Sequence, residues 1–226
     1  MSGLSATFLI SYLLGSVSFA ILVSRLRGLN DPRTYGSGNP GTTNVLRTGD
    51  KRAAAFTLLG DVAKGWLAII VFHSVLLPGA GSLEEANEWL AVAAFAVFLG
   101  HLFPVFFRFK GGKGVATALG VLLGLSPWLG LASLVVWLVV FGVTRISSLS
   151  ALSAALAAPL LPLTGLAYGS LLQNPEASDL TLTFSDPVWW AIVAMSLLLL
   201  ARHRRNFQDL VQGKEKPIFG DKGAGE

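Results

Sequence analysis

Long apolar runs divide the chain, and short polar segments separate them. A helix crossing the roughly 30 Å of bilayer hydrocarbon needs about 20 apolar residues. Residues 4–24 form the first such run, and 53–77 the second, interrupted by Asp61 and Lys64 and ended by Pro78-Gly79. Residues 89–107 follow. The stretch from 115 to 143 is too long for one ordinary span and contains Ser126-Pro127. Proline removes a helical hydrogen bond and biases the residue before it away from helix, so two helices are predicted, 114–125 and 128–143. Residues 148–171 make a further span that Pro159 and Pro162 should kink. Residues 187–200 make the last, opening on Trp189 and Trp190. The pattern predicts an all-α polytopic membrane protein with seven transmembrane helices in a single domain, residues 1–226.

The charges test this count. Every Lys and Arg except Lys64 falls in segment 25–52, in 108–113, at Arg145, or from Arg202 onward. The segments between, on the opposite side, hold no basic residue. They carry Glu84, Glu85, Glu88, Glu176, Asp179 and Asp186. Positive charge marks the cytoplasmic side, which places the N-terminus outside and the C-terminus in the cytoplasm. Reading 114–143 as one helix would put Arg145 and the basic tail outside, so the rule favours the split. The first run is followed, not preceded, by Arg25 and Arg27 and reads as a retained helix rather than a secretory signal.

Composition agrees. The chain is 53% hydrophobic and 13% charged, about half the roughly 25% charge usual in soluble domains. The absence of cysteine excludes disulfides, thiolate metal ligation and a cysteine acyl-enzyme. The net charge of +4 reads as topology here, not as a nucleic-acid footprint.

Three polar elements share the cytoplasmic side. The first is Tyr35-Gly36-Ser37-Gly38-Asn39-Pro40-Gly41-Thr42-Thr43-Asn44 with Arg47. Its Gly-x-Gly-x-x-Gly spacing formally matches a dinucleotide fingerprint, but a membrane helix and a polar loop replace the required strand and helix. Glycines let backbone N–H groups face an anion, and Arg47 supplies a fork donor for phosphate. An ordinary solvated turn is the alternative. The second is Arg108-Phe109-Lys110-Gly111-Gly112-Lys113-Gly114. It fails as a P-loop, with Phe107 and Gly114 at the decisive positions. What remains is a glycine turn and a lysine at a helix N-terminus, which suits an anion or simply a basic flank. The third is Arg202-His203-Arg204-Arg205-Asn206 with Glu215. It reads as a topology signal or, since His203 and Asn206 share a helical face, as part of a site.

Within the spans, Asp61 and Lys64 lie three apart and should pair as a brace beneath these loops, with a proton relay as the alternative. His101 is either a proton shuttle or a histidine satisfied by a carbonyl or water. His73 reads as interfacial. Phosphate-binding elements on one face of an apolar bundle suggest an enzyme whose substrates carry phosphate and a lipid tail. A transporter for a phosphorylated solute would need polar groups at midplane on broken or repeated helices. Only Asp61 and Lys64 come near that, and no repeat is visible. A membrane scaffold would leave three glycine-rich motifs without a purpose.

Taken together, the motifs resemble those of the bacterial acyl-phosphate-dependent glycerol-3-phosphate acyltransferases. Residues 36–44 with Arg47, then Asp61-x-x-Lys64-Gly65, are similar to the first motif region. Gly100-His101-x-Phe103-Pro104-Val105 through Gly111-Gly112-Lys113-Gly114-Val115-Ala116-Thr117 is similar to the second, and Arg202-His203-Arg204-x-Asn206 with Gly213-x-Glu215 to the third. The resemblance covers nearly the whole chain. It implies transfer of a fatty acyl group from acyl phosphate to the 1-hydroxyl of glycerol 3-phosphate, giving lysophosphatidic acid and phosphate, the first acylation of phospholipid synthesis. It further implies a bacterial inner-membrane location with a cytoplasmic active site, no cofactor or metal, no nucleic acid, and an acyl-phosphate-producing enzyme as functional partner. The His-x4-Asp pattern of soluble-type glycerol phosphate acyltransferases is absent, since His203 and Asp209 are one residue too far apart. Carried over by position, Ser37, Arg47, Lys113, His203 and Asn206 are the catalytic candidates. Gly38, Asn39, Gly41, Thr43, Asn44, Gly111, Gly112, Gly114, Ser148 and Glu215 are the substrate-binding candidates, Ser148 through a smaller pattern, Thr144-Arg145-x-x-Ser148-Leu149. Thr42 stands where the family usually has Ala, and Arg205 where a polar or acidic residue is frequent. The acceptor's proton goes either to His203 or to a substrate phosphate oxygen.

Overall fold

The computed structural model describes residues 3–164 and 185–215. The end of the sixth predicted span, the loop carrying Glu176 and Asp179, and the end of the tail lie outside the described residues. Among the described residues the fold is all helix with no strand. The helices are α1 (Gly3–Gly15), α2 (Phe19–Leu26), α3 (Thr42–Leu46), α4 (Lys51–Val71), α5 (Leu83–Leu102), α6 (Val115–Leu125), α7 (Pro127–Thr144), α8 (Ser147–Ala157), α9 (Pro187–Arg202) and α10 (Arg204–Val211). Among the described residues four stretches are long and apolar enough to cross a membrane: Gly3–Leu26, Lys51–Leu76, Leu83–Phe107 and Pro127–Thr144. Val115–Leu125, Ser147–Ala157 and Pro187–Arg202 are apolar but shorter.

α5 is the central helix. Ala93, Ala94, Ala96, Val97 and Phe98 are wholly buried, with α1 and α9 packed against it. α4 packs on α6, and α7 on α8. Two of these contacts bring backbones together through glycine. A Cβ on Gly100 would lie 2.3 Å from the Tyr12 carbonyl oxygen, and one on Gly120 would lie 2.0 Å from that of Val62. Small residues permit such backbone approach between apolar helices, where van der Waals packing has to replace the hydrophobic effect. α7 instead exposes Trp128, Leu131, Val135 and Val139, an apolar face suited to lipid.

The expected break at Ser126-Pro127 is present: the Ser126 Oγ accepts the Leu129 N–H at 3.4 Å, and Pro127 opens α7. Other boundaries differ from expectation. The first predicted span is two helices, interrupted at 16–18. There the Ser16 hydroxyl donates back to the Tyr12 carbonyl at 2.8 Å, and the Val17 carbonyl accepts from the Lys64 ammonium at 2.8 Å. The third begins earlier, at Leu83, because Ser82 caps the Glu85 N–H at 3.1 Å. Glu84 and Glu85 therefore sit in its first turn, where the helix dipole favours acids, rather than in a loop. Pro159 and Pro162 do not kink a long helix: α8 ends at Ala157, and a 3₁₀ turn follows at Leu161–Thr164. Lys64 and Asp61 do pair, at 2.9 Å and almost fully buried, with His101 Nδ1 3.6 Å from the same carboxylate oxygen. His73 lies in a π turn after α4, its ring edge-on to Phe72.

Candidate active site

The loop from Asp31 to Gly41 is shaped from within by one side chain. Asn44, on the short helix α3, is 2% exposed. Its amide nitrogen donates to the carbonyls of Pro32 at 2.7 Å and Tyr35 at 3.1 Å, and its Oδ1 accepts the Ser37 N–H at 3.1 Å. Gly36 turns here with φ of 57°. A Cβ on it would meet Asn44 Oδ1 at 2.2 Å and Arg47 at 3.2 Å. The Arg47 side chain thus passes directly over the turn, and among the described residues its guanidinium has no hydrogen bond or ion pair. Arg33 ties the loop outward: it pairs with Asp31 at 2.6 Å and donates to the Phe107 carbonyl at 3.3 Å. The guanidinium also holds the Asp31 carboxyl below the usual carboxylate range.

The second loop delivers Lys113 to the start of α6, where Gly114 caps the helix with φ of 93°. The Lys113 ammonium donates to Asn206 Oδ1. Asn206 Nδ2 in turn donates to Glu215 Oε1 at 2.8 Å, and the same oxygen accepts the Ser148 hydroxyl at 2.5 Å. One chain of polar contacts therefore joins α6, α10, the tail and α8. With both ends of its amide engaged, Asn206 connects Lys113 to Glu215. Burial, assisted by the charges of Arg202 and Arg47, lowers the Lys113 pKa to about 8 against the opposing attraction of Glu215.

His203 is buried at the junction of α9 and α10. Its Nδ1 lies 2.9 Å from the Leu199 carbonyl oxygen. A carbonyl can only accept, so Nδ1 carries the proton and Nε2 is left as an acceptor. Burial, then the charge of Lys113, lowers its pKa to about 4, so the ring is neutral at physiological pH.

These elements surround one cavity of about 660 Å³. Its polar end is lined by Ser37, Asn39, Gly41, Thr43, Asn44, Arg47, Lys113, Gly114, Ser148, His203, Asn206 and Glu215. Thr43 also reaches α8, its hydroxyl 3.4 Å from that of Ser147. Of the residues expected from sequence, Gly38, Gly111 and Gly112 do not line the cavity. Gly38 makes a turn closed by its N–H on the Tyr35 carbonyl at 2.9 Å, and Gly111 and Gly112 lie behind Lys113. The rest of the lining is largely apolar and includes Leu59, Leu122, Trp137, Phe141 and Met195. A drug-sized pocket normally encloses 300–1,000 Å³, so there is room for a polar headgroup and part of a chain.

The family model for glycerol-3-phosphate acyltransferase matches residues 5–213. The chain belongs to the glycerol-3-phosphate acyltransferase family. A relative of that name from Ralstonia nicotianae is 52% identical over 92% of this chain and 90% of its own. Another, from Nitrosospira multiformis, is 52% identical over 95% of this chain and 96% of its own. A crystal structure of PlsY (YgiH), an integral membrane glycerol 3-phosphate acyltransferase in its glycerol 3-phosphate form, superposes with a TM-score of 0.78 at 34% identity, covering 96% of each chain. The same protein in its lysophosphatidic acid form gives a TM-score of 0.76 at 33% identity. The protein is thus an integral-membrane glycerol-3-phosphate acyltransferase of the PlsY type, acting in phospholipid synthesis. In this acyltransferase two ionisable residues outside the predicted set also line the cavity, Asp61 and His101. Both were visible in the sequence as polar residues within apolar spans, where burial among partners is the rule. Arg202, read there as a flank, reaches the second loop from behind.

Proposed function

We propose that the acyltransferase moves a fatty acyl group from acyl phosphate to the 1-hydroxyl of glycerol 3-phosphate, releasing lysophosphatidic acid and inorganic phosphate. The observation that carries this reading is the two-sided cavity. One end gathers the Lys113 ammonium, an Arg47 guanidinium without a partner among the described residues and the start of α6, and the other is an apolar chamber for an acyl tail. In this reaction the acceptor oxygen attacks the acyl carbon, the bond from that carbon to the phosphate oxygen breaks, and phosphate departs. The Lys113 ammonium and the Arg47 guanidinium stabilise the charge on the departing phosphate, and Ser37 and Asn206 orient the reactants. Neutral His203 offers Nε2 to the acceptor hydroxyl. With a pKa of about 4 it is a weak base, so the proton passes to a substrate phosphate oxygen. Asn39, Gly41, Thr43, Asn44 and Gly114 shape the phosphate end; Glu215 holds Asn206, and Ser148 holds Glu215.

In this reading the whole chain is one domain with seven spans, the N-terminus outside and the polar end facing the cytoplasm of a bacterial inner membrane. The distribution of Lys and Arg supports that orientation. No cofactor is needed for transfer from a mixed anhydride, and an enzyme that makes acyl phosphate is the functional partner. The test is phosphate release by purified protein given palmitoyl phosphate and glycerol 3-phosphate. Release requiring both substrates and lost in Lys113→Ala is expected; folded protein that releases none sinks the assignment. His203→Asn with a normal pH profile and a retained rate removes histidine as the base, and abolished turnover with intact acceptor binding restores it.

A further inference from the structure

The second loop is held from the side away from the cavity. Arg202, at the end of α9, donates from Nη2 to the carbonyl oxygens of Gly111 and Gly112, both at 2.9 Å, and from Nε to Gly112 at 3.2 Å. Its guanidinium also lies over the Phe103 ring, 5.5 Å from the centroid, a cation–π contact that fixes its plane. The Gly112 N–H donates to the His101 carbonyl at 3.1 Å. A Cβ on Gly111 would lie 2.1 Å from that carbonyl oxygen, and one on Gly112 would lie 2.2 Å from His101 Nε2. No other residue type fits between these two supports.

This clamp has a consequence on the opposite side. In a trans peptide the carbonyl and the following N–H point in opposite directions, and no peptide bond among the described residues is cis. With the Gly112 carbonyl turned to Arg202, the Lys113 N–H is turned away from it. Neither that N–H nor that of Gly114 has an acceptor among the described residues. Lys113 and Gly114 line the cavity, whereas Arg202, Gly111 and Gly112 do not.

We propose that Arg202 is a positioning residue that sets the glycine loop so that the Lys113 N–H, beside the Lys113 ammonium, receives a substrate phosphate. The inference deepens the phosphate-handling role proposed above and rests on it. Arg202 touches no substrate itself. It acts by fixing two carbonyls, a task that suits a planar fork and that a lysine ammonium performs poorly. The phosphate is that of either substrate, since both are monoesters or anhydrides of the same dianion.

The experiment compares wild type, Arg202→Gln, Arg202→Lys and Arg202→Ala for inorganic phosphate binding, for kcat and for the KM of each substrate. Thermal unfolding and gel filtration check the fold. In Arg202→Gln, kcat/KM is expected to fall about 100-fold, the scale of a small misplacement of catalytic groups, with phosphate affinity weakened about tenfold. The substrate whose KM rises is the one whose phosphate the loop receives. Arg202→Lys keeps the charge but not the fork and is expected to lose about tenfold in kcat/KM. Added guanidinium should restore part of the activity of Arg202→Ala. Wild-type kinetics in Arg202→Lys, phosphate binding unchanged in folded Arg202→Gln, or no phosphate binding by wild type would each overturn the proposal. If wild type binds phosphate in an Arg202-dependent way yet releases none from palmitoyl phosphate, the donor assignment fails and the clamp stands.

Discussion

The two glycine-rich loops are alike in composition and opposite in construction. The loop before α3 is organised by Asn44, a few residues along the same segment, and is nearly self-contained. The loop before α6 is organised by Arg202 and by the His101 carbonyl, and Lys113 is joined to Asn206, all on other elements. A loop held by its neighbours in sequence carries its shape wherever the segment goes. A loop held by distant residues acquires its shape only when the bundle is complete. The acyltransferase therefore has one glycine-rich loop made locally and another made by assembly.

The comparison is broken most severely at Asn44. Asn44→Ala removes one acceptor and two donors from a buried position, where unmet polar groups cost about 1–3 kcal/mol each. Acyl transfer should fall about 1,000-fold, equivalent to roughly 4 kcal/mol of barrier, and the thermal unfolding temperature should fall as well, because three polar groups lose their partner at once. Asn44→Asp, which keeps the acceptor for the Ser37 N–H, should lie between this variant and wild type. Unchanged transfer in Asn44→Ala would remove the internal scaffold. At the second loop, Gly112→Ala should lose about 100-fold, because the new methyl meets the His101 ring. Adding His101→Ala should recover part of that loss, whereas the same His101 change should do nothing for Asn44→Ala.

A pH profile separates the loops more gently. Only the second presents a titrating lysine, so kcat/KM should decline as pH rises through about 8, where the ammonium loses its proton. Between about pH 8 and the ordinary lysine value of 10.5, the unfolded chain holds a proton that the folded chain has shed. This group therefore makes stability rise with pH in the same window in which activity falls. His203 acts lower: its folded pKa of about 4 against 6.5 means stability is lost as pH drops between those values. A decline in activity with no relation to Lys113, tested in Lys113→Arg, would remove the lysine from the profile. The smallest effect is expected from Ser148→Ala, which takes one hydrogen bond from Glu215. A loss of about fivefold corresponds to roughly 1 kcal/mol.

The same contrast explains what could be read from the sequence. The division at Ser126-Pro127 was legible because proline acts on its own segment. So were Lys113, His203 and the other motif residues that line the cavity, since their spacing is local. The interruption at residues 16–18 was not. It contains no proline, its Gly15-Ser16 step is a weaker signal that many spans tolerate, and the group that accommodates it, Lys64, lies 47 positions away. Pro159 and Pro162 were read as kinks because the sequence does not say whether a helix resumes after a proline. Arg202 looked like a topology flank, and only the packed bundle turns its guanidinium onto the carbonyls of the second loop.

The bond from Lys64 to the Val17 carbonyl also constrains how the protein is made. A backbone carbonyl freed at a helix break has no water to turn to in hydrocarbon, and each such group costs several kcal/mol. When the ribosome has delivered only the first apolar segment, Lys64 has not arrived. That segment is then best accommodated as an unbroken helix, and the break becomes favourable once α4 is inserted with Asp61 and Lys64 as a mutually neutralising pair. The bend in the first segment would on this account be a late event of biogenesis, templated by a helix synthesised after it.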